Sequence, residues 1–135
     1  MNLLLDTHAV LWFAGDDYKI PMHTRKLIES PLNKKFVSIV SAWEIAIKTA
    51  KFPSAPPIKG GVKEFYKILE KYRFFLLPIE KKQLETVETL PFIHSDPFDR
   101  LIISQAINNN FTVITADKNI QKYNVEYIWD NEVLK

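Results

Sequence analysis

The chain has no cysteine. That excludes a disulfide framework and any thiolate zinc site, and it suits a reducing compartment. It also lacks an apolar run approaching the ~20 residues of a membrane-spanning helix. The opening MNLLLDTHAVLWF is apolar, but it has no basic flank, and Asp6 and His8 interrupt it, so it does not read as a signal peptide. Repeats and low-complexity tracts are missing. Glycine is scarce, three in 135 residues, and all three fall at breaks: Gly15 closes a helical pattern, and Gly60–Gly61 lie in a proline-bearing stretch. What remains is a chain of one domain's length, residues 1–135, expected to be soluble and cytoplasmic, with 47% apolar residues to build a core without covalent help.

The net charge of +2 hides an uneven distribution. Residues 1–18 carry three acids and no Lys or Arg. Residues 19–82 carry fourteen Lys or Arg against five acids, and residues 83–135 carry four against eight. A basic middle segment suits a polyanion, because phosphate contacts supply most nucleic-acid affinity. A solvated, Lys-rich helix face has the same composition.

Short apolar runs alternate with helical patterns. Residues 2–5, 36–41, 74–78, 111–115 and 125–129 read as strands. Residues 7–15, 21–30, 42–50, 62–72, 80–90 and 97–109 read as helices, and 53-PSAPPIKGG-61 as a loop. Strands alternating with helices predict an α/β fold with a central, mainly parallel sheet covered on both faces. Ligands of such sheets bind beyond the carboxyl ends of the strands, at the switch in strand order.

Four acids fall at those ends. Asp6 follows the first strand, and Glu44 lies in the first turn expected after strand 36–41. Asp99 lies in the first turn of the helix opening at Pro97, and Asp117 is two residues past strand 111–115. Each has a structural explanation. Ser41-x-x-Glu44 fits a capping box. In 94-HSDPFDRLIISQA-106, Asp96 fits an N-cap, Pro97 the first helical position, and Asp99 an acid favoured by the helix dipole. Acids that serve only as caps need not meet, and acids that meet repel one another. A divalent cation relieves that repulsion. Mg²⁺ or Mn²⁺ on oxygen ligands can activate water and orient a phosphodiester.

The pieces 4-LLDTHAVLW-12, 37-VSIVSAWEIAIK-48, 94-HSDPFDRLIISQA-106 and 112-TVITADKNIQKY-123 together resemble the PIN-domain ribonucleases, in particular the VapC-like toxins of bacterial toxin–antitoxin pairs. The resemblance runs over nearly the whole chain. It implies a three-layer α/β/α sandwich and a Mg²⁺-dependent endoribonuclease, with Mn²⁺ substituting, that cuts RNA and blocks translation. It also implies a homodimer held inactive by a cognate antitoxin. On this resemblance Asp6, Glu44 and Asp99 occupy the core acidic positions and Asp117 a fourth, while Thr7 and Thr115 are supporting hydroxyls. Asp99 goes to the metal and Asp96 to the helix cap, with a reach to the site as its alternative. Arg100 is expected to pair with a carboxylate or a phosphate. His94 and His8 read as structural, and Trp12, Trp43 and Trp129 as core or interface aromatics that could stack on bases if exposed. Rival readings are an RNA-processing PIN nuclease without an antitoxin, a non-catalytic PIN-shaped binding module, and a receiver-like phosphoacceptor.

Overall fold

The computed structural model describes residues 1–130; residues 131–135, the end of the expected single domain, lie outside it. The elements run β1 (Asn2–Leu5), α1 (Thr7–Ala14), α2 (Met22–Glu29), β2 (Lys34–Ser38), α3 (Ile39–Lys51), α4 (Gly61–Lys71), β3 (Phe75–Leu77), α5 (Lys81–Thr89), α6 (Pro97–Asn109), β4 (Thr112–Ile114), α7 (Lys118–Gln121) and β5 (Glu126–Ile128). The strands form one sheet in the order β3-β2-β1-β4-β5. Every pairing is parallel, with Leu5 opposite Val37 on one side and Ile114 on the other. No helix among the described residues is long and apolar enough to cross a membrane.

The period of two along a strand assigns the core to two layers. Leu3 and Leu5 face one layer with Val37 and Ile114, where Val10 and Phe13 of α1, Ile45 of α3 and Phe65 of α4 cover them. Leu4 and Val113 face the other, under Ile102, Ile103 and Ala106 of α6 and Ile120 of α7. β1 is the central strand, and Leu3, Leu4 and Leu5 are all fully buried. That is why NLLL is a continuous apolar run and not an alternating one. Each such side chain contributes about 1.5–3 kcal/mol by leaving water.

Three expectations are revised. Strand 36–41 ends earlier, at Ser38, where its last partner on β3 is Leu77. Ile39 and Val40 are β-branched and read as strand, but with the sheet exhausted they open α3 instead. The cap is therefore Ser38, whose Oγ accepts from the Val40 amide at 3.0 Å. The Ser41–Glu44 capping box does not form, because both residues lie inside the helix. A capping box does occur at α5, between Glu80 and Gln83. The four-residue α7 was not expected, since its single turn is too short for a periodic signal.

Candidate functional site

The chain moves outward from β1 to β2 and β3 on one side, while β4 and β5 lie on the other. The strand order therefore switches between β1 and β4, and the crevice beyond their carboxyl ends is where such a fold presents a ligand. Asp6 is the residue after β1. Its Oδ1 caps α1 by accepting from the Ala9 amide at 2.8 Å. Its Oδ2 accepts from Thr115 Oγ1 at 2.5 Å, and that hydroxyl accepts in turn from the Asp117 amide at 3.0 Å. Burial pushes the Asp6 carboxyl above its usual range, against the pull of the Thr115 and Ala9 hydrogen bonds.

Asp117 caps α7 in the same manner. Oδ1 accepts from the Asn119 amide at 2.8 Å and from that of Ile120 at 3.3 Å, leaving Oδ2 for the crevice. Asp96 caps α6, its Oδ1 accepting from the amides of Phe98 and Asp99. Pro97 occupies the first helical position, as the sequence suggested. Asp99, in the first turn of α6, turns to the crevice. Its carboxyl is raised from 3.8 to about 7, first by burial and then by the charges of Asp96, Asp6 and Asp117, with His94 opposing.

His94 joins these acids. Its Nε2 lies 2.9 Å from Asp99 Oδ2 and 3.1 Å from Asp117 Oδ2. Its Nδ1 accepts from the Asp96 amide at 3.3 Å, so the neutral ring carries its proton on Nε2 and presents it to the two carboxylates. Sequence reasoning set His94 aside as structural. The available signal was its place two residues before the cap of the acid-bearing helix, where the chain folds back over the helix start.

Arg100 pairs with no carboxylate among the described residues. It is buried, and its guanidinium donates to the carbonyls of Val87, Leu90, Pro91 and His94 and to Tyr123 Oη. Tyr123 Oη accepts from the amides of Ile93 and His94 and donates to the Pro91 carbonyl. Arg100 and Tyr123 thus grip the segment that carries His94. The correction has a simple cause: the segment before α6 carries several carbonyls without ladder partners, and a planar five-donor group can satisfy them together.

Glu44 has other partners, Thr7 and Lys48. It is buried, with Oε1 accepting from Thr7 Oγ1 at 3.0 Å and Oε2 paired with Lys48 Nζ at 2.6 Å. Thr7 Oγ1 also lies 2.7 Å from Ser41 Oγ. The hydrogen bond to Glu44 raises the Lys48 ammonium above its usual range, and the charges of Asp96 and Asp99 add to the effect. Lys48 therefore brings a positive charge to the edge of the acidic crevice. Of the tryptophans, Trp12 stacks on His8 and packs against Trp129 at the margin of the core. Trp43 is exposed and meets Phe98 edge-on at the start of α6.

His94, Asp99 and Asp117 each offer a ligand atom, all within 4.8 Å of one another. Asp6 adjoins them through Thr115. Crowded, partly buried carboxylates, with those of Asp6 and Asp99 pushed up first by burial, are chemically suited to a hard divalent cation. The arrangement defines a class: a doubly wound α/β domain with an acidic crevice at its topological switch.

The chain belongs to the PIN domain family, whose model matches residues 3–126. Among solved structures it is similar to VapBC2 from Rickettsia felis bound to a promoter DNA fragment. The TM-score there is 0.70 at 17% identity, covering 96% of this chain and 100% of that one. It is also similar to DNA-bound VapBC from Salmonella typhimurium, with TM-score 0.64 at 15% identity and coverage of 95% and 97%. A third likeness is to VapBC-1 from nontypeable Haemophilus influenzae, with TM-score 0.61 at 17% identity and the same coverage. At these identities the likeness establishes the fold. Comparison with curated proteins gives no match.

Proposed function

We propose that this PIN domain is a divalent-cation-dependent endoribonuclease, the toxin of a toxin–antitoxin pair that acts in the cytoplasm by cutting RNA needed for translation. The observation that carries the reading is the gathering of His94, Asp99 and Asp117, whose ligand atoms lie within 4.8 Å of one another, with Asp6 tied to the Asp117 turn through Thr115. The family supports a nuclease. The toxin–antitoxin assignment is supported by fold likeness to chains of three VapBC complexes, and a cognate antitoxin and a homodimer are part of the proposal.

In this reading Asp6, Asp99 and Asp117 hold the cation, Mg²⁺ or Mn²⁺, with Glu44 completing the acidic set. When bound, the cation supplies Lewis acidity for activating water and stabilising the leaving oxygen of a phosphodiester. The chain's own residues do the positioning. Thr115 fixes Asp6 and the turn carrying Asp117, Thr7 fixes Glu44, and Glu44 holds Lys48 at the crevice. The Lys48 ammonium offsets part of the acidic charge that would otherwise repel RNA.

The test is calorimetric titration of the antitoxin-free protein with Mn²⁺, comparing wild type with Asp6→Asn and Asp99→Asn, followed by RNA cleavage with and without Mg²⁺. Weaker Mn²⁺ binding in both folded variants, with cation-dependent cleavage in the wild type, is expected. Equal binding in all three proteins, also with a short RNA present, would reduce the acids to helix caps and remove the support for the proposal.

A further inference from the structure

A second cleft lies away from the acids, at the opposite edge of the sheet. It has a volume of about 440 Å³ and is lined by Lys34 and Lys35 at the start of β2, Lys71 and Tyr72 at the end of α4, and Arg73 and Phe75 leading into β3. Because every strand runs the same way, these strand starts and the acid-bearing strand ends are on opposite edges. Glu29 is the one acid in the lining. None of the four cationic side chains takes part in an ion pair among the described residues. Phe75 is 54% exposed on the edge strand, and the Lys71 ammonium lies 5.2 Å from the centre of the Tyr72 ring.

Arg73 has an unusual backbone. It is one of three non-glycine residues with positive φ among the described residues, the others being Asp16 and Asn110. Asp and Asn tolerate the left-handed region through local hydrogen bonds, whereas arginine has no such compensation. Arg73 follows the cap of α4, where its amide donates to the Glu70 carbonyl and that of Phe74 to the Leu69 carbonyl. That is a Schellman motif, and its left-handed position is normally glycine. An arginine there strains the backbone while directing a guanidinium into a cleft that already holds three lysines.

We propose that this cleft is a second contact site for single-stranded RNA, its cations binding backbone phosphates and the exposed Phe75 offering a face for a base. The choice of RNA rests on the ribonuclease reading above. The cleft gives the basic middle of the sequence a specific role, which is to hold the strand at a distance from the crevice, where the acids themselves repel phosphate.

The experiment measures binding of a fluorescent RNA dodecamer by anisotropy, using the full chain in an Asp99→Asn background so that the probe is not cut. Lys71→Gln with Arg73→Gln removes two phosphate contacts. Each contact contributes a salt slope of about 0.7, so between 50 and 200 mM salt the parent should lose about sevenfold more affinity than the variant. Arg73→Gly separates binding from structure. It relieves the backbone and should raise Tm by roughly 3 °C, while RNA affinity falls. Unchanged affinity and salt slope in both variants would overturn the proposal. The two readings fail separately. With Asp99 restored, Mn²⁺-dependent cleavage of a trinucleotide too short to reach the cleft should be the same in variant and wild type. Cleavage without cleft-dependent binding sinks the second site alone, and cleft-dependent binding without cleavage by any form sinks the nuclease alone.

Discussion

Arg100→Met tests whether the arginine is a buried clamp and not a ligand for substrate. The guanidinium reaches five acceptors at 2.9–3.4 Å. Their loss is not uniform. The Pro91 carbonyl keeps the Tyr123 hydroxyl, and the Val87 carbonyl keeps the Leu90 amide. The carbonyls of Leu90 and His94 lose their donors. Each buried acceptor left unpaired costs about 1–3 kcal/mol, so the change should cost about 4 kcal/mol in total. That is a large share of the roughly 5–15 kcal/mol expected of the whole fold. At about 3–4 °C per kcal/mol for a chain of this size, Tm should fall by about 14 °C. Arg100→Lys keeps the charge but gathers its three donors on one nitrogen in place of a planar fork that reaches acceptors in several directions, so it should behave more like Met than like wild type. Thermal and urea unfolding followed by circular dichroism give both numbers. A loss under about 1 kcal/mol for Met would refute the clamp. A second readout ties it to the site: well below the lowered Tm, the Met variant should still bind Mn²⁺ more weakly, because the segment carrying His94 is no longer held against Asp99 and Asp117.

The Asp99 carboxyl lies near 7 in the folded protein against 3.8 as reference. Between those values the folded state keeps a proton the unfolded chain has released, so in cation-free buffer this group's stabilisation is complete below pH 4 and lost as pH rises through 7. Tm measured over that window should decline less steeply in Asp99→Asn, and an unaltered slope would contradict the assigned burial and crowding. Since a cation needs the carboxylates deprotonated, Mn²⁺ should raise the wild-type Tm more at pH 8 than at pH 5. Glu44→Gln keeps an acceptor for Thr7 but loses the charge that holds Lys48. The fold should survive while RNA cleavage drops about 10–100-fold, the range for loss of an outer partner at a metal site. Full activity in the folded variant would leave Glu44 a structural residue.

Much of the scaffold is legible in the residues themselves. NLLL, the β-branched run around Val37, and TVI announce strands buried on both faces, and the helical patterns between them require parallel connections. The four acids stand out because strand ends are where such a sheet meets its ligand. What stayed hidden depended on contacts across the chain. Ile39 and Val40 have strand chemistry, and only the end of the β3 pairing makes them helical. His94 lies 23 residues from Asp117 in sequence, and nothing local reveals that α7 brings them together. Arg100 looked like a group for an anion because its five acceptors, four of them main-chain carbonyls, have no signature in side-chain identity.

Capping and ligand binding began as competing accounts of these acids, and the geometry shows that they are compatible. A parallel sheet delivers its strand ends and the starts of its following helices to the same edge, so the residues best placed to cap are also those best placed to meet. A carboxylate has two oxygens. Asp6 gives Oδ1 to the start of α1 and Oδ2 to Thr115, while Asp117 gives Oδ1 to the start of α7 and Oδ2 to His94. Each cap fixes its side chain's direction and so aims the second oxygen at the crevice. At α6 the two roles are divided between residues, since Asp96 caps with one oxygen and Asp99 enters the crevice from the first turn. The helix starts also bring partial positive charge to the place where negative charge gathers, lowering the cost of assembling it. The helix N-termini therefore both position the acids and stabilise them. The sign that an acid does more than cap is a second oxygen engaged by another element, as Thr115 engages Asp6 and His94 engages Asp117.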